Sequence, residues 1–413
     1  MRCPPMLTVD EALQIVCERV EPLEPAKRYL LDAQGLLLAQ SIVSPLNSPP
    51  FDKACMDGYA VRSSDFVGAK PVLKLKGEIT AGHVSTLIVE AGETIRIMTG
   101  APLPQGADAV VQHELTELNE ADETVAFKIE DIRANLNVIG CGDIMREGDI
   151  VFVERTRLRP QELGVLAEMG FATLSVYPRP RVAVLATGDE LVPVEETPGP
   201  GQIRNTNEIM LVEQIRQAGA IPVPLGIARD NREDLQSKIE VGLQHDMLIL
   251  SGGVSAGKLD LVPSVLESLA VGEIFHRIQM KPGKPVWFGQ RAPQDASSTK
   301  TVFGLPGNPV SSMVCFEIFV KTALRRMMGN EVANSVPEKV CAKLTEDHLH
   351  KGDRPTFWPV KFELVEGEAR VKPLEWRGSS DLRGTMRADG MALFSKPDFV
   401  YKAGFVINYF PWK

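Results

Sequence analysis

The stretch Phe275–Gly289 gathers three cations, Arg277, Lys281 and Lys284, around the stiff turn Lys281-Pro-Gly-Lys-Pro285. A second turn, Gly304-Leu-Pro-Gly-Asn-Pro309, ends in the pair expected at an N-cap and first helical position. The apolar run Val310–Met328 predicts a long helix behind it. Fixed cations, backbone donors and a positive helix end together make an anion-binding corner. Carboxylates carry the other half of the chemistry. Asp57, Asp143, Asp189, Glu190, Asp230 and Asp260 all fall in predicted loops, with no histidine in those loops. Taken singly they read as turn formers or caps; taken together, oxygen-only ligands suit Mg²⁺ better than zinc or iron. Ser251-Gly252-Gly253 can present backbone amides to a phosphate. No Gly-x-x-x-x-Gly-Lys-[Ser/Thr] or Gly-x-Gly-x-x-Gly occurs, and none of the six histidines suggests a Ser/His/Asp triad. The pattern points to a metal-assisted site for a phosphorylated small molecule, with Arg277, Lys281 and Lys284 holding anions.

Those loops need a scaffold, and the hydrophobic pattern supplies one. Arg181–Thr187 is a continuous apolar strand of the kind found inside parallel sheets. Strands at Ile221–Ile227, Asp246–Leu250 and Thr301–Leu305 alternate with helices at Asn207–Gly219, Arg232–Leu243, Asp260–Leu269 and Pro309–Met328. The alternation predicts a doubly wound α/β domain. Its polar loops (Thr187–Glu190, Arg229-Asp230, Ser251–Asp260, Gly304–Pro309) follow the carboxyl ends of successive strands, where such folds bind ligands.

The flanks differ in character. Thr8-Val-Asp-Glu11 is a capping box opening a packing helix. Residues 65–139 alternate short strands and turns, and Arg96-Ile-Met-Thr-Gly-Ala-Pro places Thr99 and Gly100 on a loop. Asp57-Gly58 is a turn before a strand beginning at Tyr59, and 137–149 is a glycine-rich loop holding Asp143. Gln161–Met169 reads as a short helix. From Val336 the segments Val340–Leu344, Phe357–Leu364, Ala369–Pro373, Met391–Phe394 and Phe405–Tyr409 predict a small all-β domain.

At 413 residues the chain holds several domains of ordinary size. A net charge of −9 gives no basic footprint for nucleic acid, so an anionic ligand needs a local basic pocket. Six scattered cysteines without a Cys-x-x-Cys favour free thiols in a reducing cytoplasm. No apolar run is long enough for a membrane span, and no signal-type segment is read at the start.

Several long motifs resemble one family from end to end. They are Phe51-Asp with Met56-Asp-Gly-Tyr-Ala-Val-Arg62, Arg96-Ile-Met-Thr-Gly-Ala-Pro, Ala186-Thr-Gly-Asp-Glu-Leu191, and Gly201-Gln-Ile with Asn205-Thr-Asn207. Ser251-Gly-Gly-Val-Ser with Gly257 and Asp260, Lys281-Pro-Gly-Lys-Pro and Gly304-Leu-Pro-Gly-Asn-Pro-Val-Ser311 continue the series. In these the chain resembles the molybdopterin molybdenumtransferases (molybdenum insertases), the group that includes the C-terminal domain of gephyrin.

The resemblance implies the last step of molybdenum cofactor synthesis: adenylylated molybdopterin and molybdate, with Mg²⁺, give the metallated cofactor and AMP. It implies an elongated cytoplasmic homodimer. Each subunit would have a helical linker domain (1–50 with 140–180), a β-rich lever domain (51–139), the α/β molybdopterin-binding domain (181–329) and a barrel-like C-terminal β domain (330–413). The cleft would lie between the α/β domain of one subunit and the β-rich domain of the other. Asp189, Glu190, Asp230 and Asp260 would bind Mg²⁺ on the α/β side; Asp57, Thr99 and Asp143 would act from the other, as catalytic residues with Glu190, Asp230 and Asp260. Thr187, Gly188, Asn207, Ser251, Gly252, Gly253, Ser255, Pro306, Gly307, Asn308 and Pro309 would bind substrate, with Arg277, Lys281, Lys284, Arg354 and Ser379 holding its anions. The 137–143 loop departs from the family's Asn-[Ile/Val]-Arg-x-x-Gly-Glu-Asp, being one residue short and lacking the Arg and the Glu. Alternatives are a degenerate cofactor-binding paralogue, a scaffold, or a molybdopterin adenylyltransferase; the last is also a possible partner.

Overall fold

Strand β1, Arg181–Thr187, is buried along all but its first residue, because apolar side chains on both faces must be covered. Alternate residues enter two different cores. Val182 and Val184 pack on one face of the sheet, Ala183 and Leu185 on the other. The remaining strands are β2 (Ile221–Ala228), β3 (Met247–Ser251), β4 (Val271–His276), β5 (Trp287–Arg291) and β6 (Lys300–Leu305). They lie in the order β2-β1-β3-β6-β5-β4. The first four are parallel; β5 and β4 add an antiparallel edge. Helices Thr206–Gln217, Arg232–Gly242 and Val262–Ser268 connect successive strands; the chain runs from β1 to β2 on one side and then crosses back past β1 to β3 on the other. The carboxyl ends of β1 and β3 therefore form a topological switch point.

The computed structural model describes residues 6–83, 86–254, 261–292 and 299–412. Ser255 and Asp260 lie outside them. Two compact units are formed: Met1–Ala39 with Arg157–Pro160 and Thr173–Lys413, and Gln40–Thr156 with Gln161–Ala172.

In the first unit the Thr8 capping box starts helix Val9–Arg19, and its Ala12, Leu13 and Val16 join the core over one face of the sheet. The expected long helix after Pro309 is real but interrupted: Pro309–Cys315 and Lys321–Met327 flank a π turn at Phe316–Val320. The C-terminal strands close into a barrel in the order Val340–Leu344, Glu368–Pro373, Thr356–Val365, Gly390–Phe394, Val406–Pro411. A ribbon of His348–His350 with Phe399–Tyr401 lies beside it. Phe357, Trp376, Met391 and Phe410 enter the α/β core, so the barrel is packed onto the sheet domain.

The second unit holds a six-stranded sheet, ordered Ala109–Gln112, Gly58–Val61, Glu93–Ile97, Val72–Ile79, Thr124–Phe127, Thr116–Asn119. Gly58 belongs to a strand rather than a turn; a Cβ there would lie 2.1 Å from the Val111 carbonyl oxygen. No described helix is long and apolar enough to cross a membrane.

Candidate active site

A cleft of about 610 Å³ opens at the carboxyl ends of β1 and β3, as the switch-point rule requires. Thr187, Gly188, Glu190, Asn207, Asp230, Ser251, Gly252, Gly253 and the turn Pro306–Pro309 all line it. Four loops distant in sequence thus meet in space. Asn207, on a helix, ties two of them together. It sits in the first turn of helix Thr206–Gln217, and its buried Nδ2 donates to Ser251 Oγ and to the Gly307 carbonyl, both at 2.8 Å. A carbonyl can only accept, which fixes the amide's orientation. Asn207 Oδ1 is left buried without a partner, as is Thr187 Oγ1. Buried polar atoms are almost always paired in folded proteins, so these two are open to a partner from outside the chain.

Backbone shape sets the cleft floor. Gly252 has φ +91°, and a Cβ there would stand 2.7 Å from the Thr187 carbonyl oxygen. Only glycine lets the β3 loop lie this close to β1.

The acids divide. Glu190 and Asp230 line the cleft. Asp189 does not: its Oδ1 accepts the Asp230 N–H at 3.1 Å, while Arg229 Nη1 donates to the Asp189 and Leu191 carbonyls. Asp189 thus braces the Asp230 loop through one of its two carboxylate oxygens.

A second cavity, about 320 Å³, shares Pro285, Pro306 and Asn308 with the first. Lys281, Lys284, Arg354, Ser311, Ser379 and Trp376 complete it. Here the anion corner expected from sequence is largely assembled, and Arg354 and Ser379 arrive from the barrel side. Two details differ. Arg277 lines neither cavity; it takes a left-handed conformation (φ 71°) on the hairpin, its N–H bonded to the Val286 carbonyl, with its side chain in solvent. Asn308 occupies the N-cap position, yet its side chain makes no cap bond. Its Nδ2 donates to Ser379 Oγ at 3.0 Å and its Oδ1 accepts from Ser380 Oγ at 3.2 Å. The Val310 N–H is bonded to the Ser379 carbonyl. The turn clamps the barrel loop instead of offering an amide cradle, so the cavity's positive charge is in its side chains.

In the second unit Asp57 and Thr99 meet. Asp57 Oδ1 accepts both the Thr99 N–H and its hydroxyl, each at 2.7 Å. Those two bonds hold the exposed carboxyl below its ordinary pKa, so it is ionised. Asp143 is exposed, and its Oδ2 accepts the Gly140 N–H at 2.7 Å within its own loop.

The comparisons agree with this architecture. Residues 7–170 match the MoeA N-terminal region (domain I and II). Residues 183–326 match a probable molybdopterin binding domain. A molybdopterin molybdenumtransferase of Staphylococcus aureus (strain Mu50) is 32% identical over 410 residues, covering 97% of this chain and 94% of that protein. The chain belongs to the molybdopterin molybdenumtransferase family. It is accordingly a transferase of molybdenum cofactor biosynthesis. The family's enzyme from Haemophilus influenzae is 36% identical over 329 residues, 79% of each chain. The crystal structure of the molybdopterin biosynthesis MoeA protein from Pyrococcus horikoshii superposes with a TM-score of 0.82 at 29% identity, covering 99% of this chain and all of that one.

The donor set can be tested against the magnesium expected for this transferase family. No described cluster holds three acidic, histidine or cysteine ligands. Glu190 and Asp230 supply two carboxylates in one cleft. Mg²⁺ is ordinarily bound through one or two carboxylates plus substrate phosphates, so the residues fit a metal that arrives with a phosphorylated ligand.

Sequence reasoning passed over Arg204 and Leu191 in the larger cleft and Ser311 and Trp376 in the smaller. Arg204, Leu191 and Ser311 sit inside or at the ends of the matching motifs and could have been found there. Trp376 carried no signal.

Proposed function

We propose that this protein inserts molybdenum from molybdate into adenylylated molybdopterin, releasing AMP. The observation that supports this reading best is the joining of two cavities at one crevice. One is large, floored by glycines and holds two orphaned polar atoms; the other is small and ringed by Lys281, Lys284 and Arg354. The larger suits a pterin and its adenylyl group, the smaller a tetrahedral dianion.

In this reading Thr187, Asn207 and the Ser251–Gly253 loop bind and orient the organic substrate. The three cations, with Ser311 and Ser379, hold molybdate beside it by charge-assisted hydrogen bonds. Glu190 and Asp230 would hold Mg²⁺, with Asp189 positioning the Asp230 loop. When bound, the metal would polarise the adenylyl phosphate and balance charge on the departing AMP. Asp57, kept ionised by Thr99, is a proposed catalytic carboxylate; Asp143, engaged by its own loop, is a weaker one. We further propose a cytoplasmic homodimer, with domain limits at 1–50 with 140–180, 51–139, 181–329 and 330–413.

The test is direct. Purified protein incubated with adenylylated molybdopterin, molybdate and Mg²⁺ should release AMP. Lys281→Ala and Arg354→Ala should raise the KM for molybdate about tenfold or more, the scale of one lost charge-assisted bond, with a smaller effect on pterin binding. Pterin binding without AMP release would overturn the insertase reading in favour of a paralogue that only binds cofactor, the reading the shortened 137–143 loop would favour.

A further inference from the structure

His350 is buried in the two-stranded ribbon beside the barrel and lines neither cavity. Its two nitrogens nevertheless lead toward the anion corner. Nδ1 lies 2.7 Å from the Lys396 carbonyl oxygen. That oxygen only accepts, so Nδ1 carries a proton and donates. Nε2 lies 2.9 Å from Thr356 Oγ1, so in the neutral ring it accepts from the threonine hydroxyl. The hydroxyl has a single proton, so while it donates to Nε2 it makes no bond to the Arg354 carbonyl 3.2 Å away. Thr356 is joined to Arg354 by the chain itself, two residues on.

The next step reaches a second cation. Thr356 is the bridge partner of Lys281. The Lys281 N–H donates to the Pro355 carbonyl at 2.8 Å, and the Phe357 N–H donates to the Lys281 carbonyl at 2.7 Å. Arg354 Nη1 reaches the Met280 carbonyl at 3.3 Å. Residues 354–357 and 280–281 are thus fastened as one piece. It is anchored in the barrel by the strand pairing of Thr356 with Phe394 and of Phe357 with Leu393, and at the Thr356 side chain by the contact from the buried ring. Lys396 is fixed in turn by the Tyr401 hydroxyl, which accepts its N–H at 2.7 Å.

We infer that His350 is a positioning residue for oxyanion binding: through Thr356 it sets the spacing of Arg354 and Lys281. The inference rests on the proposed reading of the smaller cavity as the seat of molybdate. Two cations that must meet one small tetrahedral ion tolerate little displacement, so a buried hydrogen bond behind them can control affinity without touching the ligand. A histidine that merely filled space, stacked beside Phe394 at 6.4 Å, would act through ring area and not through its Nε2 edge.

The two roles separate by substitution. His350→Asn can keep the bond to Lys396 but loses reach to Thr356, whereas His350→Gln can regain the Thr356 contact. Thr356→Val removes the same bond from the other side and Thr356→Ser restores it. In calorimetric titration of the full chain with sodium molybdate, His350→Asn and Thr356→Val should each bind about three- to tenfold more weakly, the range of one lost hydrogen bond. His350→Gln and Thr356→Ser should stay within about twofold of wild type. The double variant His350→Asn/Thr356→Val should lose no more than the worse single, because both break one contact. Unchanged affinity in both single losses, equal effects of Asn and Gln at 350, or additive losses would overturn this inference alone. A wild-type protein that takes up no molybdate would overturn the proposed reading of the cavity as well.

Discussion

Asn207→Ala probes the joint on which the larger cleft depends. The side chain is 9% exposed and makes two bonds of 2.8 Å, to Ser251 Oγ and the Gly307 carbonyl. Truncation removes both. A typical bond of this kind is worth about 1 kcal/mol net, and a buried partner left unpaired costs about 1–3 kcal/mol. The Ser251 hydroxyl can rotate toward another acceptor, and Gly307 is exposed, so its carbonyl can bond water instead. The expected loss is therefore about 1–2 kcal/mol. Urea unfolding followed by intrinsic fluorescence should show it as a lower midpoint with an unchanged slope. Asn207→Asp should cost at least as much at neutral pH, since a carboxylate oxygen would then face the Gly307 carbonyl. Both variants should also bind adenylylated molybdopterin more weakly, because Oδ1, unpartnered within the protein, is the atom the ligand is expected to engage. A stability change below about 0.5 kcal/mol for Asn207→Ala, with wild-type ligand affinity, would refute the argument that this residue joins the Ser251 and Gly307 loops.

Asp57 gives a pH signature. Its folded pKa lies below the unfolded value of about 3.9, so its contribution is complete above that value and is lost as pH falls through the folded one. The melting temperature of wild type should therefore fall more steeply below about pH 4 than that of Asp57→Asn, and parallel curves would contradict the Thr99 bonds. Arg277→Ala should leave molybdate affinity within about twofold of wild type in calorimetric titration, since the side chain lines neither cavity; a tenfold loss would return Arg277 to the anion set.

Much of the site was legible because it is local. Apolar runs such as Val182–Ala186 announce buried parallel strands, and the residues just past them line the cleft. The five barrel strands were readable as segments for the same reason. Their closure was legible only through the family resemblance, since strand order depends on pairing between residues far apart in sequence, as with Lys343 beside Arg370. The antiparallel edge of β4 and β5 was hidden because Phe275–Gly289 is dominated by the chemistry of its turn. Asn308 is instructive in another way. Its type and the following proline mark a helix start correctly, yet the barrel loop offers its side chain better partners than the helix amides do. The Asp189 bond to the Asp230 amide likewise joins two strand ends that only the folded sheet brings together.

The smaller cavity shows why the barrel matters to chemistry performed at a sheet edge. The cleft itself is built mainly from the loops after β1, β2, β3 and β6 and the start of helix Thr206–Gln217. The anion corner needs more: Lys281 and Lys284 ride on a turn between β4 and β5, and that turn is held by backbone bonds from Lys281 to residues 355 and 357. Arg354 and Ser379 come from barrel loops, and Ser379 is fixed in turn by Asn308 and Val310 at the start of the helix after β6. An α/β domain alone could therefore retain a site for the organic substrate while lacking a seat for the oxyanion. In the proposed reading, organic ligand and oxyanion would be recognised by different parts of the chain, with the shared residues Pro285, Pro306 and Asn308 bringing the two into register. Rigid proline at two of those three positions keeps that boundary from shifting when either half is filled.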